Sequence, residues 1–191
     1  MRKLLITCFS FLLLACSNDD AKVVTPKAPQ VTLGQSINSD SFNLSFSAIM
    51  TSYLDLKNAF IKEDTSLIHQ SAKKLANSAA LVKLNELNAD TLIINTAKIY
   101  TQNLQDEIMG LLKEQDLENK RKSFQIITND VYDLIRTVRY DREKVYLQHC
   151  PMAFKNKGAD WLSNSSEIEN PYLPKMMLDC GEVIDSAGYN K

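Results

Sequence analysis

The chain has 191 residues, 45% hydrophobic and 24% charged, with 22 basic and 23 acidic side chains and a formal net charge of −1. That balance excludes a disordered polyelectrolyte. It also lacks the basic excess needed to neutralise a phosphate backbone, so no nucleic-acid partner is expected.

Arg2 and Lys3 precede an apolar run over 4–15 (LLITCFSFLLLA). The run has the length of a signal-peptide core and falls short of the roughly 20 apolar residues that span a bilayer. It stops at Leu13-Leu14-Ala15-Cys16, which resembles a bacterial lipobox. The resemblance implies removal of residues 1–15 and a lipid on Cys16. The protein is then expected in the cell envelope, anchored to the outer membrane on its periplasmic face or at the cell surface. Residues 16–37 are polar, aperiodic and contain Pro26 and Pro29, the composition of a flexible tether. Within it, Asn18-Asp19-Asp20 resembles the acidic export patch of some surface lipoproteins. Residues 38–191 are left as the folded domain.

Helix breakers are almost absent from the middle of the chain. Residues 30–150 contain no proline, and Gly110 is the single glycine between Gly34 and Gly158. Apolar residues recur there at steps of three and four. Phe42, Phe46, Ile49, Tyr53, Leu56 and Phe60 predict a first helix. Ile68, Ala72, Leu75, Ala76 and Ala79 predict a second, over about 65–84, with Asp64-Thr65-Ser66 as cap candidates. A third, over about 89–114, uses Leu92, Ile93, Ala97, Tyr100, Leu104, Ile108 and Leu111 after Asn88 or Asp90. The fourth, over about 117–146, uses Leu117, Phe124, Ile127, Val131, Leu134, Ile135 and Val138. The expected fold is all-α: an up-down four-helix bundle with an irregular, Cys- and Met-containing C-terminal segment packed on it. His69 is the one histidine in these helices and is expected at a solvated helix edge. The charged stretch 113–122 is expected to be a solvated turn and helix start.

After Tyr146 the composition changes. Residues 147–191 hold Pro151, Pro171 and Pro174, the only tryptophan, and Cys150 and Cys180. His149-Cys150-Pro151-Met152, Trp161-Leu162-Ser163, Asn170-Pro171-Tyr172 and Met177-Leu178-Asp179-Cys180-Gly181 follow in order. The series resembles the family of unknown function DUF3347, over about residues 40–187, with Pro174 standing where a glycine is expected. That family occurs in Bacteroidetes envelope proteins, as lipoproteins or appended to adaptor subunits of heavy-metal efflux pumps. The resemblance therefore implies a link to copper or a similar metal, and a partner that is an efflux adaptor or another envelope protein.

The residues support two readings of the segment. Thiolates and thioethers select Cu(I), and imidazole is compatible with it. Cys150, Met152 and Cys180 are the core of the candidate ligand set, with His149, Met177 and Met176 as further donors. Trp161 is a candidate cover through a cation–π contact. Zinc fits less well, because a closed site needs four ligands and His149, Cys150 and Cys180 supply three. In the second reading Cys150 and Cys180 form a structural disulfide, closing a loop worth about 3–4 kcal/mol of chain entropy, in a binding or interaction module that takes no metal. Unpaired buried thiols are a third possibility. Asn170-Pro171-Tyr172 reads as a turn. No phosphate loop, dinucleotide fingerprint or framed catalytic dyad is present, and no enzymatic activity is expected.

Overall fold

Four side-chain caps start the four helices. In the computed structural model, which describes residues 36–188, the helices run Asp40–Lys62 (α1), Thr65–Ala80 (α2), Thr91–Lys113 (α3) and Leu117–Val138 (α4). Ser39, Asp64, Asp90 and Asp116 each accept from the backbone N–H three residues on, at 2.8–3.1 Å. Each cap satisfies one free donor, and the three aspartates complement the positive helix end. Asn88 caps nothing: its amide donates to the Ile37 carbonyl at 3.0 Å. The leader 1–15, Cys16 and the tether, except for Ser36 and Ile37, lie outside the described residues. No described helix is long and apolar enough to cross a membrane.

The expected stripes face the core, and α1 packs on α2, α2 on α3 and α3 on α4. Leu92 is the exception at 74% exposed. Rings join α1 to α4, with Tyr53 and Phe60 at 5.5 and 4.7 Å from Phe124 between centroids. Lys120, expected in a solvated stretch, is 2% exposed. Its ammonium donates to the carbonyls of Leu111, at 3.3 Å, and Glu114, so it closes the negative end of α3. His69 Nε2 lies 3.1 Å from the same Nζ. His69 is thus the ammonium's acceptor rather than a free surface group. Burial first, and the Lys120 charge second, hold its pKa below the usual value.

Beyond Val138 the expected all-α fold fails. Arg139 takes left-handed backbone angles (φ 52°) and ends α4, eight residues before the expected end. The chain then forms β1 (Lys144–Cys150), β2 (Ala159–Ser163) and β3 (Glu182–Gly188), a three-stranded antiparallel sheet in the order β2-β1-β3. The fold is therefore mixed: a helical bundle capped by a small sheet. Tyr146 pairs with Ser163 and Ser186, and His149 with Asp160 and Glu182, across a bulge on the β3 side at Leu147/Gln148. As the central strand, β1 buries residues of both parities, Val145 as well as Gln148 and Cys150. Its sequence thus shows no polar/apolar alternation.

The outer edge of β2 is closed by side chains instead of another strand. The Leu162 N–H donates to Tyr53 Oη at 2.9 Å, and the Asp160 N–H donates to Gln125 Oε1 at 2.5 Å. The Asp160 carbonyl accepts from Tyr172 Oη at 2.6 Å. An edge strand's unpaired groups need such partners when buried. Tyr53 also hydrogen-bonds Thr128 Oγ1 of α4 at 2.7 Å, and its burial pushes the phenol well above its ordinary pKa.

Tyr53→Phe leaves the Leu162 N–H and the Thr128 hydroxyl buried without their partner, and is expected to cost about 1–3 kcal/mol; urea unfolding of both proteins measures it. Because burial and the Lys120 charge lower the His69 pKa in the fold, its contribution is present above the ordinary histidine value, about 6.5, and is lost as pH falls below it. Melting temperature followed from pH 7.5 to 5 should fall less steeply in His69→Gln than in the parent protein.

Candidate thiol site on the sheet cap

Cys150 ends β1, opposite Ala159 of β2, and is fully buried. Its neighbour His149 projects from the opposite face of the sheet, as successive strand residues must. There His149 Nδ1 lies 2.6 Å from Asp160 Oδ1, and the imidazole packs over Gly158, where a Cβ would come within 2.6 Å of its Cε1. His149 and Cys150 therefore do not converge on one point.

Cys180 arrives from the other direction, at the end of the loop 164–181. Gln148 ties the start of this loop, donating to the carbonyls of Ser165 and Glu167 at 3.0 and 2.9 Å. Asn170, fully buried, organises its middle. Its Oδ1 accepts from the Tyr172 N–H at 2.8 Å and its backbone N–H donates to the Leu178 carbonyl at 2.7 Å. Its Nδ2 donates to the Cys180 carbonyl at 3.1 Å. The expected turn is present as this Asx arrangement. Ion pairs hold the loop to the bundle: Glu63, at the end of α1, binds Lys175 and Arg121, the latter at 2.9 Å, and Lys57 lies 3.4 Å from Glu169. The two cations hold the Glu63 carboxyl below the usual range.

The last step into β3 passes through Gly181. Its φ of +148° lies in the region that favours glycine, and a Cβ there would sit 2.7 Å from the Trp161 ring and 2.8 Å from the His149 carbonyl. Trp161 is fully buried and meets Tyr172 edge-on at 6.2 Å; it is a packing anchor beneath the chain that carries Cys180.

The two sulfurs lie 2.7 Å apart, with Cys180 partly exposed. A covalent S–S bond is about 2.05 Å. Two thiolates on one ion, each at about 2.3 Å, are separated by roughly 3.8 Å in a tetrahedral site. The pair sits between these, nearer the bond. The Met152 N–H points at Cys180 Sγ, but the hydrogen bond with Cys150 outweighs it and, with burial, pushes the Cys180 thiol up to about 11. The thioethers of the candidate set are spread: Met152 is 45% exposed, Met176 72%, and Met177 half-buried. Among the described residues no three His, Cys, Asp or Glu side chains form a group able to hold a metal.

Between β1 and β2 the chain makes an unusual turn, Ala153–Asn156. Phe154, Lys155 and Asn156 all have positive φ (50°, 59° and 65°), at about 1–2 kcal/mol for each L-residue. Sequence reading missed this turn, the Asp160 partner of His149 and the role of Asn170. An Asn-Pro pair ahead of an aromatic residue is the single local signal that pointed to any of the three.

Reduced Cys180 is expected to react slowly with iodoacetamide at pH 8 and to accelerate towards pH 11, where an unperturbed thiol levels off above about 8.5. Cys150→Ser removes the main cause, so Cys180 should alkylate faster at pH 8 in that variant, as followed by mass spectrometry. A raised thiol pKa also means that the stability it contributes is present below the ordinary value and is lost as pH climbs towards 11.

No curated protein and no solved structure matches the chain. Residues 49–143 match the family described as protein of unknown function (DUF3347). The match spans the bundle from within α1 to the turn before β1. It stops short of the Cys-Pro-Met, Trp-Leu-Ser, Asn-Pro-Tyr and Met-Leu-Asp-Cys-Gly elements of the cap. The helices, rather than those motifs, show that the chain belongs to the DUF3347 family.

Proposed function

We propose that the chain is a lipid-anchored envelope protein that binds a soft metal ion such as Cu(I) through Cys150 and Cys180 and passes it to an efflux adaptor or another envelope protein. The observation that supports this reading is the convergence of two sulfurs from opposite ends of the cap at a partly exposed point. Two thiolates give the soft, low-coordinate environment that Cu(I) favours. Met152 and Met177 are the thioethers nearest to them in sequence and serve as candidate third donors. Met176 is the most exposed of the donors, and His149 is engaged with Asp160 on the other face; neither is central to this reading. Zinc suits the pair less, since a closed site needs four ligands. Binding must displace the thiol protons, so affinity rises with pH. The anchor at Cys16 rests on the lipobox resemblance; a palmitate analogue fed to cells should label the protein and not Cys16→Ser.

Titration of the reduced protein with Cu(I) against a chromophoric chelator is expected to show one equivalent withheld from the chelator, and none in the Cys150→Ser/Cys180→Ser variant. Equal competition by the two proteins would overturn the metal reading. The 2.7 Å separation, shorter than that of two thiolates on one ion, favours a second reading: a structural disulfide in a binding module. The protein as isolated would then have an intact mass two hydrogens below the reduced mass. Reduction would lower its stability by about 3–4 kcal/mol without altering any metal uptake.

A further inference from the structure

The strained turn after β1 forms one wall of a cavity of about 620 Å3, and α4 forms the other. Glu118, Lys122, Gln125, Phe154, Lys155 and Lys157 line it. A volume of this size is in the range that takes a small molecule.

A plain connection between β1 and β2 has no need of three successive left-handed residues. Such strain persists where the surroundings enforce it and is characteristic of functional sites. Here it is enforced from behind: the Lys157 and Gly158 N–H groups both donate to the Ala153 carbonyl at 3.1 Å, and Gly158 lies under the His149 ring. The turn sets Phe154 edge-on against Tyr172 at 5.3 Å, so that the phenyl ring also lines the cavity. It leaves Lys155 and Lys157 exposed at the rim, across from Lys122 of α4. None of these three lysines belongs to an ion pair among the described residues. Lys122 donates only to the neutral Asn119 amide, at 2.9 Å. Glu118 is the single acid facing three ammonium groups, an excess of positive charge on a chain whose net charge is −1. Gln125 is fixed by accepting the Asp160 N–H and supplies a rigid polar wall.

We propose that this cavity binds a small organic anion, with a flat aromatic body against Phe154 and its acidic group among Lys155, Lys157 and Lys122. Charge complementarity sets the sign of the ligand, and the Phe154 ring suits an aromatic body packed against it. The site requires neither thiol and stands independently of metal binding.

Fluorescence titration of the full chain with 8-anilinonaphthalene-1-sulfonate, beside the uncharged N-phenyl-1-naphthylamine, tests it. One sulfonate should bind per chain, at least tenfold tighter than the neutral probe, and weaken as salt is raised. Lys155→Glu/Lys157→Glu should weaken the sulfonate tenfold or more, and Lys122→Glu on the opposite wall should weaken it in the same direction, with far-UV dichroism unchanged in both. Lys98→Glu, beside a separate cavity on α3, and Cys150→Ser/Cys180→Ser should leave binding as it is. Equal affinity for the two probes, or sulfonate binding that survives both the turn and the α4 variants, would overturn the proposal.

Discussion

The phenol of Tyr53 holds the helices and the sheet in one fold. It sits on α1, hydrogen-bonds α4 through Thr128 and takes the Leu162 N–H of β2, so one buried oxygen joins three elements. Without it the Leu162 N–H on the outer edge of β2 and the Thr128 hydroxyl would be buried unpaired, which is more costly than the hydrogen bond itself is stabilising. The rings around it extend the join: Phe124 touches Tyr53, Phe60 and Tyr172, and Tyr172 touches Phe154 and Trp161. Once β2 is held, β1 has a fixed neighbour, and the position of Cys150 follows from the register.

The position of Cys180 has a different origin. The loop that carries it contains almost no regular structure, and single residues with several partners set its course. Asn170 binds the loop to itself, while Glu63 and Lys57 bind it to the bundle through the charges of Lys175 and Glu169, and Arg121 through the Pro171 carbonyl at 3.1 Å. Gly181 then lets the chain cross the Trp161 ring where a side chain would collide. The thiol pair thus depends on a lattice of polar contacts over an aromatic floor.

What could be read in advance follows from how local each feature is. The helical stripes and the caps at Asp64 and Asp90 are patterns within a few residues, and they appear as expected. Leu92 fails because three-and-four spacing does not say where the first turn of α3 meets its neighbours. Lys120 fails because a charge can be buried when it closes a helix end, something no run of charged residues announces. The sheet fails for a deeper reason: a central strand buried on both faces carries no alternation, and its partners lie up to 44 residues away, from Lys144 to Gly188. In the candidate site, the clustering of His149, Cys150 and Cys180 in sequence hid a strand geometry that sends His149 and Cys150 apart. The family match ends just where this non-local part begins.

Residues at the two ends of the cap must find each other across a long stretch of chain, and that has a bearing on the order of assembly. The helix contacts range from short closures, such as Lys120 with the Leu111 carbonyl, to the 75-residue span from Tyr53 to Thr128. The β1–β3 pairing spans 33 to 44 residues and has its own chain entropy to overcome before its contacts repay it. The two thiols, 30 residues apart in the chain, are brought together only when β1 and the loop around Asn170 are both in place. An oxidant that reaches the chain before the loop has settled around Asn170 meets two independent cysteines. One that arrives afterwards meets a single preassembled pair, so the timing of folding relative to oxidation decides which chemistry the site begins with.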